Sequence, residues 1–207
     1  MRKTVTKKIM TKLAVAALGS LLVLGCSTGT PEPRPMPVLG YHKYPQVRLN
    51  VGRIEVVNNY NPGQQPGHIE NQMAMPLPDA VNDWAKTRFQ AMGQDGVLTI
   101  TIDNASVISE NLQRTSGVKG VFTIDQSQRV TGQIALRFAS SNASFGTSGN
   151  AQVSVKSSRT MAEDSSLQTQ DIILANLTDN MMVELDAATQ RVFVEKLPSL
   201  MQQGGVR

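Results

Sequence analysis

From residue 49 onward, apolar positions recur with two rhythms, one of period two and one of period 3.6, and each change of rhythm marks a change of element. Leu49–Val57 (LNVGRIEVV) predicts a first strand, with Leu49, Val51 and Arg53 on one face, Ile54 and Val56 on the other, and Gly52 placed for a bulge. Residues 58–76 are a long Asn/Gly/Pro/Gln loop. Leu77–Met92 predicts a helix, because Pro78 and Asp79 suit its start and Gly93 its end. Val81, Trp84, Ala85, Phe89 and Met92 form its apolar stripe. Val97–Leu112 predicts a long strand in which Leu98, Ile100 and Ile102 alternate with Thr99, Thr101 and Asp103. The alternation changes side near Asn104, which predicts a bend or bulge there.

Over Gly120–Phe138 the apolar residues Phe122, Ile124, Val130, Ile134, Leu136 and Phe138 all fall on even positions. A period of two held that long predicts a strand buried on one face of an antiparallel sheet. Residues 139–150 predict a polar turn, and Gln152–Thr160 a further strand with Val153 and Val155 inward. The last element is a long amphipathic helix over Ser166–Leu197. Its stripe is Leu174, Leu177, Met181, Leu185, Ala188 and Val192, and Pro198 stops it. Strand, helix, strands in series and a long helix predict an α+β fold: a two-layer sandwich with an antiparallel or mixed sheet of about four strands and both helices on one face. A single domain over residues 41–200 is expected, with a frayed tail over 201–207.

The first 40 residues follow neither rhythm. Residues 1–12 are basic and Leu13–Leu24 is an apolar run of 12 residues. Spanning a bilayer as a helix takes roughly 20, so the run fits the core of an export signal instead. It ends in Val23-Leu24-Gly25-Cys26, which resembles the lipobox of bacterial lipoproteins. The resemblance implies cleavage between Gly25 and Cys26, a diacylglyceryl thioether on the Cys26 sulfur and acylation of the new amino group. The mature chain is then a palmitate-bearing type of lipoprotein. Ser27, in place of an aspartate, implies sorting to the outer membrane. Residues 26–40 then form an acylated, Pro-rich tether, with four prolines in residues 27–38.

That division changes the meaning of the composition. The formal charge of +4 includes five basic residues that precede Cys26; fifteen Lys and Arg against sixteen Asp and Glu leave the mature chain at −1. The basic balance belongs to the signal, and nucleic acid is not an expected partner. A single cysteine allows no internal disulfide. Aromatics are 4% of the residues, so the expected core is one of Val, Ile, Leu and Met.

Chemistry is sparse. His42 and His68 are the two histidines. His68 and Glu70 read as a solvated loop pair, since two loop ligands make no structural metal site. The one thiol is assigned to lipid, and no nucleophile elbow, P-loop, zincin or dinucleotide motif occurs. Asp171, Asp179, Glu184, Asp186 and Glu195 read as the solvated face of the last helix. The expectation is therefore no catalytic residue, no metal, no cofactor beyond the covalent lipid, and no enzyme. Met181, Met182 and Val183 are more apolar than one helix face requires, and adaptable methionines there suit a surface for a protein or lipid partner, although core packing is the plainer account.

The order of elements also resembles small envelope lipoproteins: the lipopolysaccharide-assembly lipoprotein that plugs its barrel partner, the ABC-transport auxiliary lipoproteins and the small YajG-type lipoproteins. Val23–Cys26, Thr30–Pro37, Leu49–Val57, Asp79–Met92 and Val183–Pro198 carry the likeness. Asp79–Phe89 is also similar to a set of uncharacterised alphaproteobacterial lipoproteins. The resemblance implies a non-catalytic accessory or scaffold subunit of an envelope assembly or transport system. It would be held to the outer membrane by its lipid, face the periplasm and bind another envelope protein. The alternative is a periplasmic carrier of a lipid or other amphipath.

Overall fold

The computed structural model describes residues 39–63, 65–112, 126–142, 147–162 and 164–201. The predicted signal, the lipid site at Gly25, Cys26 and Ser27, and the tether up to residue 38 lie outside the described residues, as do residues 120–125 of the predicted third strand and residues 202–207 of the tail.

Among the described residues six strands and two α-helices follow in the order β1 (Val47–Leu49), β2 (Arg53–Asn58), α1 (Leu77–Arg88), β3 (Phe89–Ala91), β4 (Val97–Asn111), β5 (Gln126–Asn142), β6 (Thr147–Ala162) and α2 (Leu167–Lys196). The main sheet has the order β2-β4-β5-β6, and β1 and β3 form a separate parallel pair. Within the main sheet β2 runs parallel to β4, while β4–β5 and β5–β6 are antiparallel. Both helices cover one face, so the fold is the expected α+β two-layer sandwich with a mixed sheet. The even positions of β5 are the buried ones: Val130, Ile134, Leu136 and Phe138. The change of side in β4 is a register shift between Ile102 and Asn104, where the Asn104 side chain accepts from Ser106 N at 2.9 Å.

Three boundaries differ from the sequence pattern, the first being the predicted turn over 139–150, whose residues 139–142 and 147–150 are paired strand because β5 and β6 zip up to Asn142 and Thr147. Leu49–Val57 is not one strand but two, in different sheets, because Asn50–Gly52 turns the chain. Gly52 N donates to the carbonyls of Asp95 and Gly96, each at 3.0 Å. A Cβ on Gly52 would lie 2.7 Å from Gln94 O, so only glycine admits this approach of backbone to backbone. Helix α1 ends at Arg88 rather than Met92. Residues 89–91 leave the helix to pair with β1, and Met92 N then bonds Leu49 O at 2.9 Å. Phe89 still reaches the core from this extended backbone, whereas Met92 is 43% exposed.

Rings also matter more to the core than their number suggests. Trp84, Phe89, Phe193 and Phe138 make a continuous line, with centroids 5.2, 5.5 and 5.0 Å apart. That line joins α1, β3, α2 and β5, and each offset or edge-to-face pair adds about 0.5–1.5 kcal/mol beyond area burial.

Helix α2 starts where Ser166 Oγ accepts from Thr169 N at 3.2 Å, and it ends against Pro198. Thirty residues give it a length of about 45 Å. Met181 lies over Gly132 of β5, where a Cβ would fall 2.3 Å from the Met181 sulfur. The glycine in this strand makes room for the helix. Gly132→Val is expected to destabilise the domain by about 1–3 kcal/mol through overpacking. Combining it with Met181→Ala should recover part of the loss in urea unfolding, and no recovery would mean that the contact is not the cause. Beyond the helix, Met201 pairs with Leu49 and Asn50 N bonds Leu200 O at 2.8 Å, so the chain is held at least to residue 201.

Candidate functional site

Three polar clusters organise the domain, and the first fastens its leading segment. Gly40–Lys43 is a 3₁₀ turn lying against both helices. Gly40 N donates to Asp179 Oδ1 of α2 at 2.7 Å, and the buried Tyr41 donates its hydroxyl to Asp83 Oδ2 of α1 at 2.7 Å. Burial first, then the Asp83 hydrogen bond and charge, push the Tyr41 phenol well above its ordinary value. His42 tilts against the Tyr41 ring at 4.3 Å and places Nε2 3.5 Å from Asp83. Arg88 donates to the carbonyl of Pro45 and stands over the Tyr44 ring.

The second cluster ties the helices together. Asp186 of α2 accepts from Arg88 Nε at 2.6 Å, Arg88 Nη2 at 3.2 Å, Trp84 Nε1 at 3.1 Å and Gln190 Nε2 at 2.5 Å. Arg88 and Asp186 are 6% and 5% exposed. Asp186 therefore does not belong to the solvated face, and Asp179 is engaged with Gly40. The register of α2 explains the difference: Met182, Asp186, Thr189 and Phe193 follow one another at three- and four-residue steps and are all buried.

The third cluster closes the upper edge of β4. His68 and Glu70 are not a solvated pair, since Glu70 is 2% exposed. Its Oε1 accepts from Tyr60 Oη at 2.5 Å and Val107 N at 2.7 Å, and lies 2.9 Å from His68 Nδ1. Tyr60 Oη is also 3.2 Å from that ring nitrogen. Burial opposes the charged carboxylate. The bonds from Tyr60, the Val107 and Glu70 backbone amides and His68 together outweigh it and hold Glu70 below its ordinary value. Tyr60 moves the other way, raised by burial and then by its bond to Glu70 and the carboxylate charge. The sequence pairs His68 with Glu70 but, because the long loop reads as polar, shows neither their burial nor Tyr60 as the third member; a Tyr, a His and a Glu within eleven residues were the signal.

Each carboxylate in these clusters already accepts from donors of its own fold. Among the described residues no group of three or more His, Cys, Asp or Glu could hold a metal ion. Among them, too, no helix is long and apolar enough to cross a membrane.

Met181 and Met182 are 0% exposed and form part of the core, so they offer no surface to a partner; Val183 alone is at the surface, 45% exposed. A helix with a 0% exposed pair at 181–182 turns the third residue of the run outward by geometry alone. Two apolar cavities, one at Leu39, Met73, Met75 and Leu174 and the other at Val47, Phe89 and Phe193, measure about 10 Å³ each. Two larger concavities are open: one of about 300 Å³ between Asn50, Val51, Ser140, Ser148 and Leu200, and a trough of about 670 Å³ on the solvent face of the sheet, lined by Ser106, Glu110, Arg129, Gln133, Lys156 and Thr160.

No protein-family model and no curated protein matches the sequence. Among solved structures, the chain is similar to rare lipoprotein B of Shewanella oneidensis, with 9% identity and a TM-score of 0.36 over 67% of this chain and 92% of that one. It is also similar to a minor lipoprotein of Acinetobacter baumannii, with 13% identity and a TM-score of 0.34 over 77% of this chain and 99% of that one.

Proposed function

We propose that the protein is a non-catalytic, lipid-anchored accessory or scaffold subunit of a cell-envelope system. It is tethered through Cys26 to the outer membrane, faces the periplasm and binds another envelope protein. The observation that carries this reading is the fastening of the leading segment. Gly40, Tyr41 and Pro45 are bonded to Asp179, Asp83 and Arg88, which lie on both helices. A tether pulling on residue 39 therefore acts on the whole helical layer and not on a loose end. The buried ionisable groups are engaged in holding the domain together, which favours a binding module over an enzyme. The two small cavities of about 10 Å³ give the carrier alternative no room, since ligand pockets are typically 300–1,000 Å³, and the concavities that reach that size, about 300 and 670 Å³, are lined mainly by polar residues.

Radiolabelled palmitate tests the anchor: the chain is expected to incorporate label and Cys26→Ser to lose it while being left unprocessed. Label-free wild type, or a mature chain that retains residues 1–25, rules the anchor out. A photo-crosslinker at Val183, on the exposed side of α2, tests the partner and is expected to capture one envelope protein. Native mass spectrometry of the purified chain should show no co-purifying lipid other than the covalent one.

A further inference from the structure

The two edges of the main sheet are finished differently. On one side the edge strand is β2, only six residues long, and the part of β4 that runs beyond it is covered at residues 107–109 by the segment 67–70. Strand β2 pairs Val97–Ile102, and Asn59 N bonds Ile102 O at 3.0 Å. Beyond the bulge, Ile69 N bonds Val107 O at 3.0 Å, Ser109 N bonds Gly67 O at 2.8 Å, and the Glu70 carboxylate takes the remaining amide at Val107. Closing that edge takes a 3₁₀ turn, a short strand and a buried carboxylate.

Strand β6 has no such cover among the described residues. It is 16 residues long, about 50 Å at strand rise, and pairs with β5 from Gln126↔Ala162 to Asn142↔Thr147. No strand pairs its other side among the described residues. In an antiparallel strand roughly every second residue turns its N–H and C=O away from the paired neighbour. An edge of this length is a template for another strand unless it is shortened, bulged or broken by proline. Thr147–Ala162 contains no proline, and its one register irregularity is at the far end, between Gln126 and Gln128 of β5. Helix α2 backs the strand, burying Ala151, Val153 and Val155, which keeps the edge extended. Gln152, Ser154, Lys156, Ser158 and Thr160 are exposed on the opposite face.

The charge on this edge selects the occupant. Lys156 and Arg159 lie on β6, Arg129 and Arg137 lie on β5, and neither strand contains an Asp or Glu. Arg137 is held by Asp103, 2.5 Å from it, and Arg129 stands opposite Glu110 of β4, which leaves Lys156 and Arg159 as the cations of the β6 edge. A second copy of this chain would bring Lys156 and Arg159 against their own kind, which edge cations serve to prevent. We propose that the free edge of β6 takes an extended, acidic segment of a partner protein as a fifth strand of the main sheet. This rests on the accessory-subunit reading and deepens it, since it names where and how the partner binds.

Photo-crosslinkers placed singly at Gln152, Ser154, Ser158 and Thr160 of the full chain, in the cells that make it, test the inference. Adducts are expected on one segment of one partner. The modified position should move by two residues in the partner for each step of two in β6, the signature of strand pairing, and the segment should carry Asp or Glu. Lys156→Glu with Arg159→Glu should lower the yield about tenfold, the effect of about 1.4 kcal/mol. Adducts only to a second copy, adducts without the two-residue step, or a yield indifferent to charge reversal overturn it. Capture from Val183 with none from β6 overturns it while the accessory reading survives; no capture from any position overturns both.

Discussion

Asp186→Ala is expected to lower the stability of the domain by about 3–5 kcal/mol, the range for a buried ion pair that loses one member. The carboxylate gathers Arg88, Trp84 Nε1 and Gln190, so its removal takes the acceptor from Nε and Nη2 of a guanidinium that is 6% exposed and from a buried indole N–H. Cost falls on the groups left behind more than on the bonds lost. The paired replacement Arg88→Met with Asp186→Leu removes both charges and is expected to return most of the loss, because well-packed apolar residues substitute for buried ion pairs at little or no cost. Trp84 is the only tryptophan and is 0% exposed, so its fluorescence reports the unfolding directly. Two outcomes count against this account: an Asp186→Ala domain as stable as wild type, or a double variant no better than the single one. The leading segment provides a further check. Arg88 also donates to Pro45 O, so Arg88→Met alone should loosen residues 40–45 in hydrogen exchange, whereas Asp186→Ala acts mainly between the helices.

What the chain reveals before folding follows from the range of each interaction. Local periodicity is a property of neighbours, and it places β5 by its even positions, α2 by its stripe between Ser166 and Pro198, and the bulge by the change of side at Asn104. Where neighbours do not decide, the pattern misleads. Phe89 and Met92 continue the helical spacing of α1. Hydrogen bonds from residues 89–93 to β1 and to Val51 outcompete one more turn of helix, and those partners lie about forty residues upstream. Polar clusters are hidden for the same reason. Trp84 and Asp186 are 102 residues apart, and Glu70 and Val107 are 37 apart. One signal was nevertheless present: Asp186 shares the line of Met182 and Phe193, and a carboxylate on an apolar line of a helix implies a buried partner. Met181 and Met182 follow the plainer account, core packing, and not the candidate partner surface; the glycine that makes room for Met181, Gly132, stands on another element and is silent in a hydropathy pattern.

Glu70→Ala is expected to cost about 3 kcal/mol, since it strands the Tyr60 hydroxyl and the Val107 amide, each worth about 1–3 kcal/mol when left unsatisfied. Glu70→Gln keeps an acceptor and should cost less, and its diagnostic effect is on the pH profile. The folded state holds the Glu70 carboxyl below the ordinary value of 4.5. A depressed carboxyl contributes stability that is fully present above the unfolded value and is lost as pH falls through the folded one. Wild type should therefore weaken progressively below about pH 4.5, and Glu70→Gln should flatten that part of the acid limb. Tyr60 has the opposite sign. Its phenol is raised above 10.0 by burial first and then by Glu70, so its contribution is present below pH 10 and is lost as pH rises beyond it. Removing the carboxylate charge takes away the last of those causes and leaves burial and an acceptor, so the alkaline loss should begin at the same pH, set by the unfolded phenol, but be smaller in Glu70→Gln than in wild type. Both ends of the stability profile thus respond to one substitution at a residue 2% exposed. Unfolding free energies measured between pH 3 and pH 11 decide it. A Glu70→Gln profile parallel to wild type at both ends would show that the carboxylate is neutral in the folded domain and that the β4 edge is closed by shape alone. Hydrogen exchange at Val107 gives the local counterpart: its amide should exchange faster in Glu70→Ala, while the amides of β5 keep their protection.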